Sequence, residues 1–196
     1  MSRKGFLLVL MHPPTAMEEE FNAWYDAEHI PDRLAIPGFE SGQRFHSLDG
    51  GVPRYLAFYD LASADVMDSP EYLRVSFDRA TPWTKRITAR ARVQRFTGEQ
   101  IYPGEQLGHR PARLLLLRFH GLRMADADAV VAAMRGTFEA RPEVRQVRVL
   151  AHASGAERTD FLGLVEARVP LPGHFDPAPF GAMADALDLV GTYTPF

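Results

Sequence analysis

The stretch FNAWYDAEHIPDRLAIPGF, residues Phe21 to Phe39, decides how the chain is read. Phe21, Trp24, Tyr25 and then Glu28 or His29 recur at the spacing of one helix face. A face of that kind is expected to bury its three aromatics against a neighbouring layer. Pro31 predicts that the helix ends at about His29, because the residue before a proline is pushed out of helical geometry. Pro37–Gly38 then turns the chain into a new segment. The stretch is therefore an amphipathic helix set between two candidate strands.

Working outward, Gly5 to Met11 is an apolar run closed by Pro13–Pro14 and reads as a buried strand. It is shorter than a signal-peptide core, and no cleavage site follows it. Thr15 and Glu18 have the spacing of a capping box at the start of the helix. Beyond the helix, Phe39 to Leu48 is a strand ending at Asp49–Gly50–Gly51, a hairpin signal. RYLAFYDL (Arg54 to Leu61) is the next strand. Ser69–Pro70 and Thr81–Pro82 each pair an N-cap with a proline at the first helical position, which predicts two short helices. RVQRFTGEQIY (Arg92 to Tyr102) closes the set as a strand, so the order is β-α-β-β-α-β.

The same order repeats after a linker at 104–111. RLLLLRFHGL is a strand, Ala125 to Arg141 a helix, VRQVRVLAHAS and TDFLGLVEARVP two strands, Pro177 to Leu187 a helix and VGTYTPF a last strand. The α+β fold class that follows is two tandem ferredoxin-like repeats, 1–103 and 112–196. Each sheet carries helices on one face and needs a cover on the other, so the two sheets are expected to pack face to face as an intramolecular pseudo-dimeric α/β barrel.

Composition narrows the partners. The chain has 196 residues, 46% hydrophobic, with 22 Lys+Arg against 25 Asp+Glu and a formal net charge of −3. Nothing in that balance points to nucleic acid or a membrane surface. No apolar run reaches the ~18 residues needed to cross a bilayer. Cysteine is absent, which removes disulfides, thiolate metal sites and a Cys nucleophile and fits a cytoplasmic location. There is no phosphate loop, H-E-x-x-H or G-x-S-x-G motif, and no metal-ligand spacing.

Together with SPEYLRVSF and RVQRFTGEQI, the opening stretch resembles the dimeric α/β-barrel superfamily and, within it, the EthD-like group. The resemblance covers about the first hundred residues; the second half follows by element order only. It implies two ferredoxin-like units around a central cavity. In the EthD-like group a histidine occupies this helix-end position beside the barrel mouth, which makes His29 the candidate acid/base. The superfamily includes oxygenases, isomerases, cyclases and haem proteins, so the resemblance specifies fold more sharply than reaction.

Strand alternation supplies the remaining candidates. Arg44 and His46 share one face, Tyr55, Ala57 and Tyr59 another, and Gln94 lies with Phe96. If Leu56 and Phe58 take the helix side, Tyr55 and Tyr59 turn into the cavity between the sheets, with Arg44, Gln94 and Trp24 as further substrate contacts. Glu28 and the pair Asp32–Arg33 read as solvated or locally paired groups. The matching helix of the second half, AAMRGTFEA, has neither histidine nor tyrosine, so a single, asymmetric site is expected.

The expected function is a small cofactor-independent enzyme acting on a hydrophobic or aromatic carbonyl compound by proton abstraction, of isomerase, cyclase or monooxygenase type. His29 would be the base, with Arg44, Tyr55 and Tyr59 steadying an enolate oxygen. The rival from another class is a non-catalytic small-molecule-binding or stress-response barrel; a pure scaffold would have its inter-sheet space filled. Haem on a single axial histidine (His29, His120 or His152) is the one cofactor the superfamily raises. The partner is a small organic molecule, and the assembly a monomer or a homodimer formed through an exposed strand edge.

Overall fold

A computed structural model describes residues 3–51, 53–171 and 175–196. Met1 and Ser2 of the N-terminal stretch lie outside them. Eight strands form a closed barrel in the order β1-β3-β2-β8-β5-β7-β6-β4. They are β1 (Gly5–His12), β2 (Gln43–Ser47), β3 (Tyr55–Leu61), β4 (Arg92–Tyr102), β5 (Arg113–Leu122), β6 (Val144–Ala153), β7 (Thr159–Ala167) and β8 (Leu187–Pro195). Every neighbouring pair is antiparallel. Strands β4-β1-β3-β2 come from the first half and β8-β5-β7-β6 from the second, joined at two seams, β2–β8 and β4–β6. Closure leaves none of the eight strands with a free edge, which removes the edge pairing expected of a dimer.

The helices lie outside. The first is α1 (Glu18–Trp24), which passes through a π-turn (Tyr25–His29) directly into α2 (Ile30–Leu34). The predicted stop at His29 is thus displaced to Leu34. A π-turn is a local widening of the spiral, and here it falls immediately before the proline, in the turn where its ring would otherwise crowd a carbonyl. The predicted capping box does not form: Thr15 opens a 3-10 turn, and the Glu18 carboxylate goes to Arg54 and to the Tyr55 hydroxyl. Ser69 and Thr81 do cap α3 (Pro70–Arg74) and α4 (Pro82–Thr88), accepting from the amides of Tyr72 and Thr84. The second half has α5 (Ala127–Met134), its own π-turn (Arg135–Glu139) and a 3-10 segment (Ala178–Ala186) kinked at Gly181. No helix among the described residues is long and apolar enough to cross a membrane.

Three buried clusters follow from this layering. Inside the barrel, all eight strands contribute to a packed apolar filling that includes Phe6, Phe45, Leu56, Phe58, Phe96, Leu116, Leu164 and Tyr193. Leu56 and Phe58 therefore face inward, and Tyr55, Ala57 and Tyr59 face the helices. This reverses the predicted orientation of β3. The expected cavity between the sheets is occupied by side chains. Outside, Leu7, Met11, Phe21, Trp24, Tyr25 and Tyr59 join the first half's sheet to its helices. Leu117, Phe119, Met134, Phe138, Phe161 and Phe180 do the same for the second half.

One end of the barrel interior is polar. Arg148 is fully buried, pairs with Asp60, donates to the Gln100 side-chain oxygen and lies over the Phe58 ring at 4.7 Å. Glu166 stands 3.5 Å from the same guanidinium. The 104–111 segment closes this end: the Gly108 amide donates to Asp60 at 3.0 Å and the His109 amide to Glu166 at 2.9 Å. A Cβ at Gly108 would stand 2.7 Å from an Arg148 nitrogen, so the linker approaches this closely only as glycine.

Candidate active site

The pocket that holds His29 lies between the sheet and the helices of the first half, not inside the barrel. It encloses about 250 Å³. Val9 of β1 and Arg95 of β4 are on its floor, Trp24, His29 and Arg33 on the helix side, and Tyr72 and Phe77 on the α3–α4 side. Parity explains the floor: Arg95 pairs with Val9, and both point away from the barrel interior, where Phe96 packs.

The π-turn sets the first wall. Trp24 and His29 stack with ring centres 4.2 Å apart, and Tyr25 meets the imidazole edge-on at 5.3 Å. The Trp24 indole N–H donates to Thr84 at 3.0 Å, and the Tyr25 hydroxyl rests on the Met11 sulfur. Burial, and then the positive charges of Arg33 and Arg44, push the His29 imidazole down to about 3. It is therefore a neutral ring at physiological pH. The imidazolium expected of a last helical turn is absent because the helix continues another turn, leaving no free carbonyl ends beside it.

The same continuation creates a residue that the sequence did not single out. Arg33 sits one turn beyond His29 and is only 7% exposed, where a solvated local pair with Asp32 was expected. It donates to Ser76 at 3.2 Å and lies over the Tyr72 ring at 5.1 Å. From the sheet, Arg95 donates to the Tyr72 hydroxyl at 2.7 Å and lies over the same ring at 5.6 Å. Phe77, at the pocket's edge, has a positive φ of 52° and is 64% exposed. A bulky residue in that region is a strained one, and such strain gathers at ligand sites. Its only sequence signal was its place between two N-capped helices.

The other predicted site residues are distributed differently. Trp24 and His29 come together as expected. Arg44 is buried on the far side of the helix, donating to Asp26 at 2.6 Å and to Asn22, between the rings of Tyr25 and Phe196. Tyr55 is bound to Glu18 and Asn22, away from the pocket. Tyr59 is fully buried beneath the helices with no partner for its hydroxyl, and burial pushes that hydroxyl well above its ordinary range. Gln94 is exposed at the barrel rim, too close to the end of β4 to be enclosed. A wider hollow of about 510 Å³ lies beyond Arg44, lined also by Arg110, with Arg44 paired to Asp26 and no histidine on its walls.

None of the three candidate axial histidines stands in a described pocket of tetrapyrrole size. His29 faces a pocket smaller than the ~300–1,000 Å³ typical of drug-sized ligands, and a tetrapyrrole is larger still. His120 is 61% exposed and held by Asp160, while His152 stands 2.8 Å from the Thr97 carbonyl oxygen. Neither lines a described pocket. Among the described residues no group of three or more His, Asp or Glu is placed to hold a metal ion.

No protein-family model matches the chain, and no curated protein matches its sequence. Solved structures do. An anthrone oxidase-like protein superposes with a TM-score of 0.71 at 12% identity, covering 100% of this chain and 92% of its own. A candidate monooxygenase from Lactobacillus acidophilus NCFM gives 0.57 at 12% identity, covering 100% and 94%. A chlorite dismutase variant from Candidatus Nitrospira defluvii gives 0.55 at 9% identity, covering 99% and 92%. At such identities the likeness carries architecture alone. What they share with this chain is the fold, an eight-stranded closed antiparallel barrel with helices outside it.

Proposed function

We propose that the pocket beside His29 removes a proton from a carbon next to a carbonyl in a planar, hydrophobic substrate. The observation that carries this reading is the meeting, in one aromatic-walled pocket, of a neutral imidazole with two guanidinium groups that have no carboxylate at ion-pair distance among the described residues. In the step, the C–H bond breaks heterolytically. Its electron pair becomes the enolate and its proton goes to a ring nitrogen of His29. Arg33, whose charge already acts on His29, attracts the negative charge as it forms. Formation of the enolate beside the ring also offsets the burial that makes the free imidazole a weak base. The exposed Phe77 ring at the pocket's edge supplies an apolar surface for the substrate, while Trp24 and Tyr72 are buried supports of the walls. Isomerisation, cyclisation and oxygenation all pass through such an anion, and the superposable oxidase- and monooxygenase-named proteins are compatible with the last. The strand order β4-β1-β3-β2 and β8-β5-β7-β6 supports reading the host fold as two fused ferredoxin-like repeats, with the single site in the first.

The test is hydrogen exchange. Enolisable aromatic ketones, with and without a carboxylate, are incubated with the protein in D2O, and deuterium uptake is followed by NMR. Exchange should be accelerated, and His29→Ala should slow it by about 10²–10⁴-fold, the usual contribution of a positioned acid/base. Unchanged exchange in His29→Ala would remove the assignment. A non-catalytic binding protein is the second reading, favoured by a His29 ring that the described residues hold by ring contacts with Trp24 and Tyr25 rather than by a hydrogen bond. That reading predicts ligand binding with no exchange.

A further inference from the structure

The charge lining the His29 pocket exceeds what a transient enolate needs. Arg33, Lys85 and Arg95 line it, and no aspartate or glutamate does. Glu28, one residue before His29, turns instead to the hydroxyls of Thr81 and Thr84 at 2.5 and 3.2 Å. Lys85 is occupied by the Asp78 carbonyl, a neutral group that leaves its charge uncompensated. Of the twenty arginines, eight, Arg44 and Arg148 among them, have a carboxylate at ion-pair distance; of those with none among the described residues, Arg33 is the buried one. Arg33 and Arg95 have none among the described residues; each has one neutral oxygen and the face of Tyr72.

Burying a guanidinium without a counter-anion is costly, and a protein that is acidic overall has carboxylates to spare for it. Proton abstraction from a neutral substrate creates one negative charge, and only as the reaction proceeds. It cannot balance the pocket in the resting complex. We propose, resting on the proton-transfer reading above, that the substrate already bears a carboxylate: it is a planar aromatic acid whose carboxylate is received by the Arg33–Tyr72–Arg95 cluster. Both guanidinium groups reach the Tyr72 ring, 5.1 and 5.6 Å from its centre, which gathers two planar forks at the Tyr72 wall of the pocket. The aromatic ring then lies toward Trp24 and His29. The volume of about 250 Å³ limits the ligand to one or two fused rings.

The test compares 2-naphthoate with its neutral isostere 2-naphthamide by calorimetric titration of the intact protein. Naphthoate should bind at least tenfold more tightly. Arg33→Met and Arg95→Met should each weaken naphthoate binding far more than naphthamide binding and so erase most of that preference, and Arg33→Lys should retain part of it. Removing an unpaired buried charge is not expected to unfold the chain, and circular dichroism checks this; Arg95→Met, at a partly exposed site, provides the second, safer variant. Equal affinity for the two probes, a preference that survives both substitutions, or binding of neither at millimolar concentration would overturn the proposal. The outcome is separable from the proton-transfer test: charge preference without deuterium exchange would retain the carboxylate site and remove the enolate step.

Discussion

At the residue scale, His29 ties stability to pH with a definite sign. Its imidazole titrates near the ordinary 6.5 in an unfolded chain and near 3 in the folded one. Between those values the unfolded state holds more protons, so the folded state loses stability as pH falls from about 6.5 towards 3. His29→Phe, which keeps the stack on Trp24, removes this contribution. The difference in Tm between pH 7 and pH 4 should therefore be smaller in the variant than in the wild type; an equal or larger difference would show that the ring is not held neutral. The residue scale also shows why Arg33 escaped sequence reading. Asp32 beside Arg33 has the look of a solvated pair, and a helix stopped at His29 would have left both in a loop. Once the helix runs through Pro31, Arg33 falls one turn above His29 on the same face.

At the element scale, local signals were legible and facing was not. The apolar run of β1, the two Ser/Thr–Pro caps and the hairpin glycines each fix their own few residues, because their causes are local. Alternation correctly grouped Tyr55 with Tyr59 and Leu56 with Phe58. It could not say which group meets the helices, since both faces of β3 are buried and both are apolar or aromatic. That ambiguity moved the expected site from beneath the helices to the barrel interior. The α3–α4 connection carries its own prediction. Phe77 holds a left-handed backbone that costs a non-glycine residue about 1–2 kcal/mol, while its exposed ring has little packing to lose. Phe77→Gly should therefore leave urea-midpoint stability unchanged or raised. Aromatic-acid binding should weaken, because the ring's edge contact with Tyr72, 6.4 Å between centres, is lost. Reduced stability with undiminished binding would mean that the residue serves packing rather than the pocket.

At the scale of the molecule, the two halves share architecture but differ in what fills corresponding spaces. Both have a π-turn at the same place in their first helix. In the second half Phe138, Phe175 and Phe180 interlock, with ring centres 5.3 to 6.1 Å apart, beneath that helix; in the first half the space is the pocket. The barrel interior, by contrast, belongs to both. Residues 1–103 alone would expose Phe6, Leu8, Leu56, Phe58 and Phe96, an apolar sheet face that cannot remain in water as a monomer. The seams suggest how such a fragment would respond. β2 pairs with the last strand of the other half and β4 with that half's second strand, so two copies of the fragment can close the same barrel about a twofold axis. The copy cannot supply Arg148, however, and the fragment also lacks the Gly108 amide that closes this end, so each Asp60 loses both of these partners. Residues 1–103 should therefore sediment as a weak dimer, and Asp60→Asn should tighten it by removing the uncompensated charge. A stable monomeric fragment would show instead that the first half can cover its inner face by itself, and that fusion of the halves is not what completes the fold.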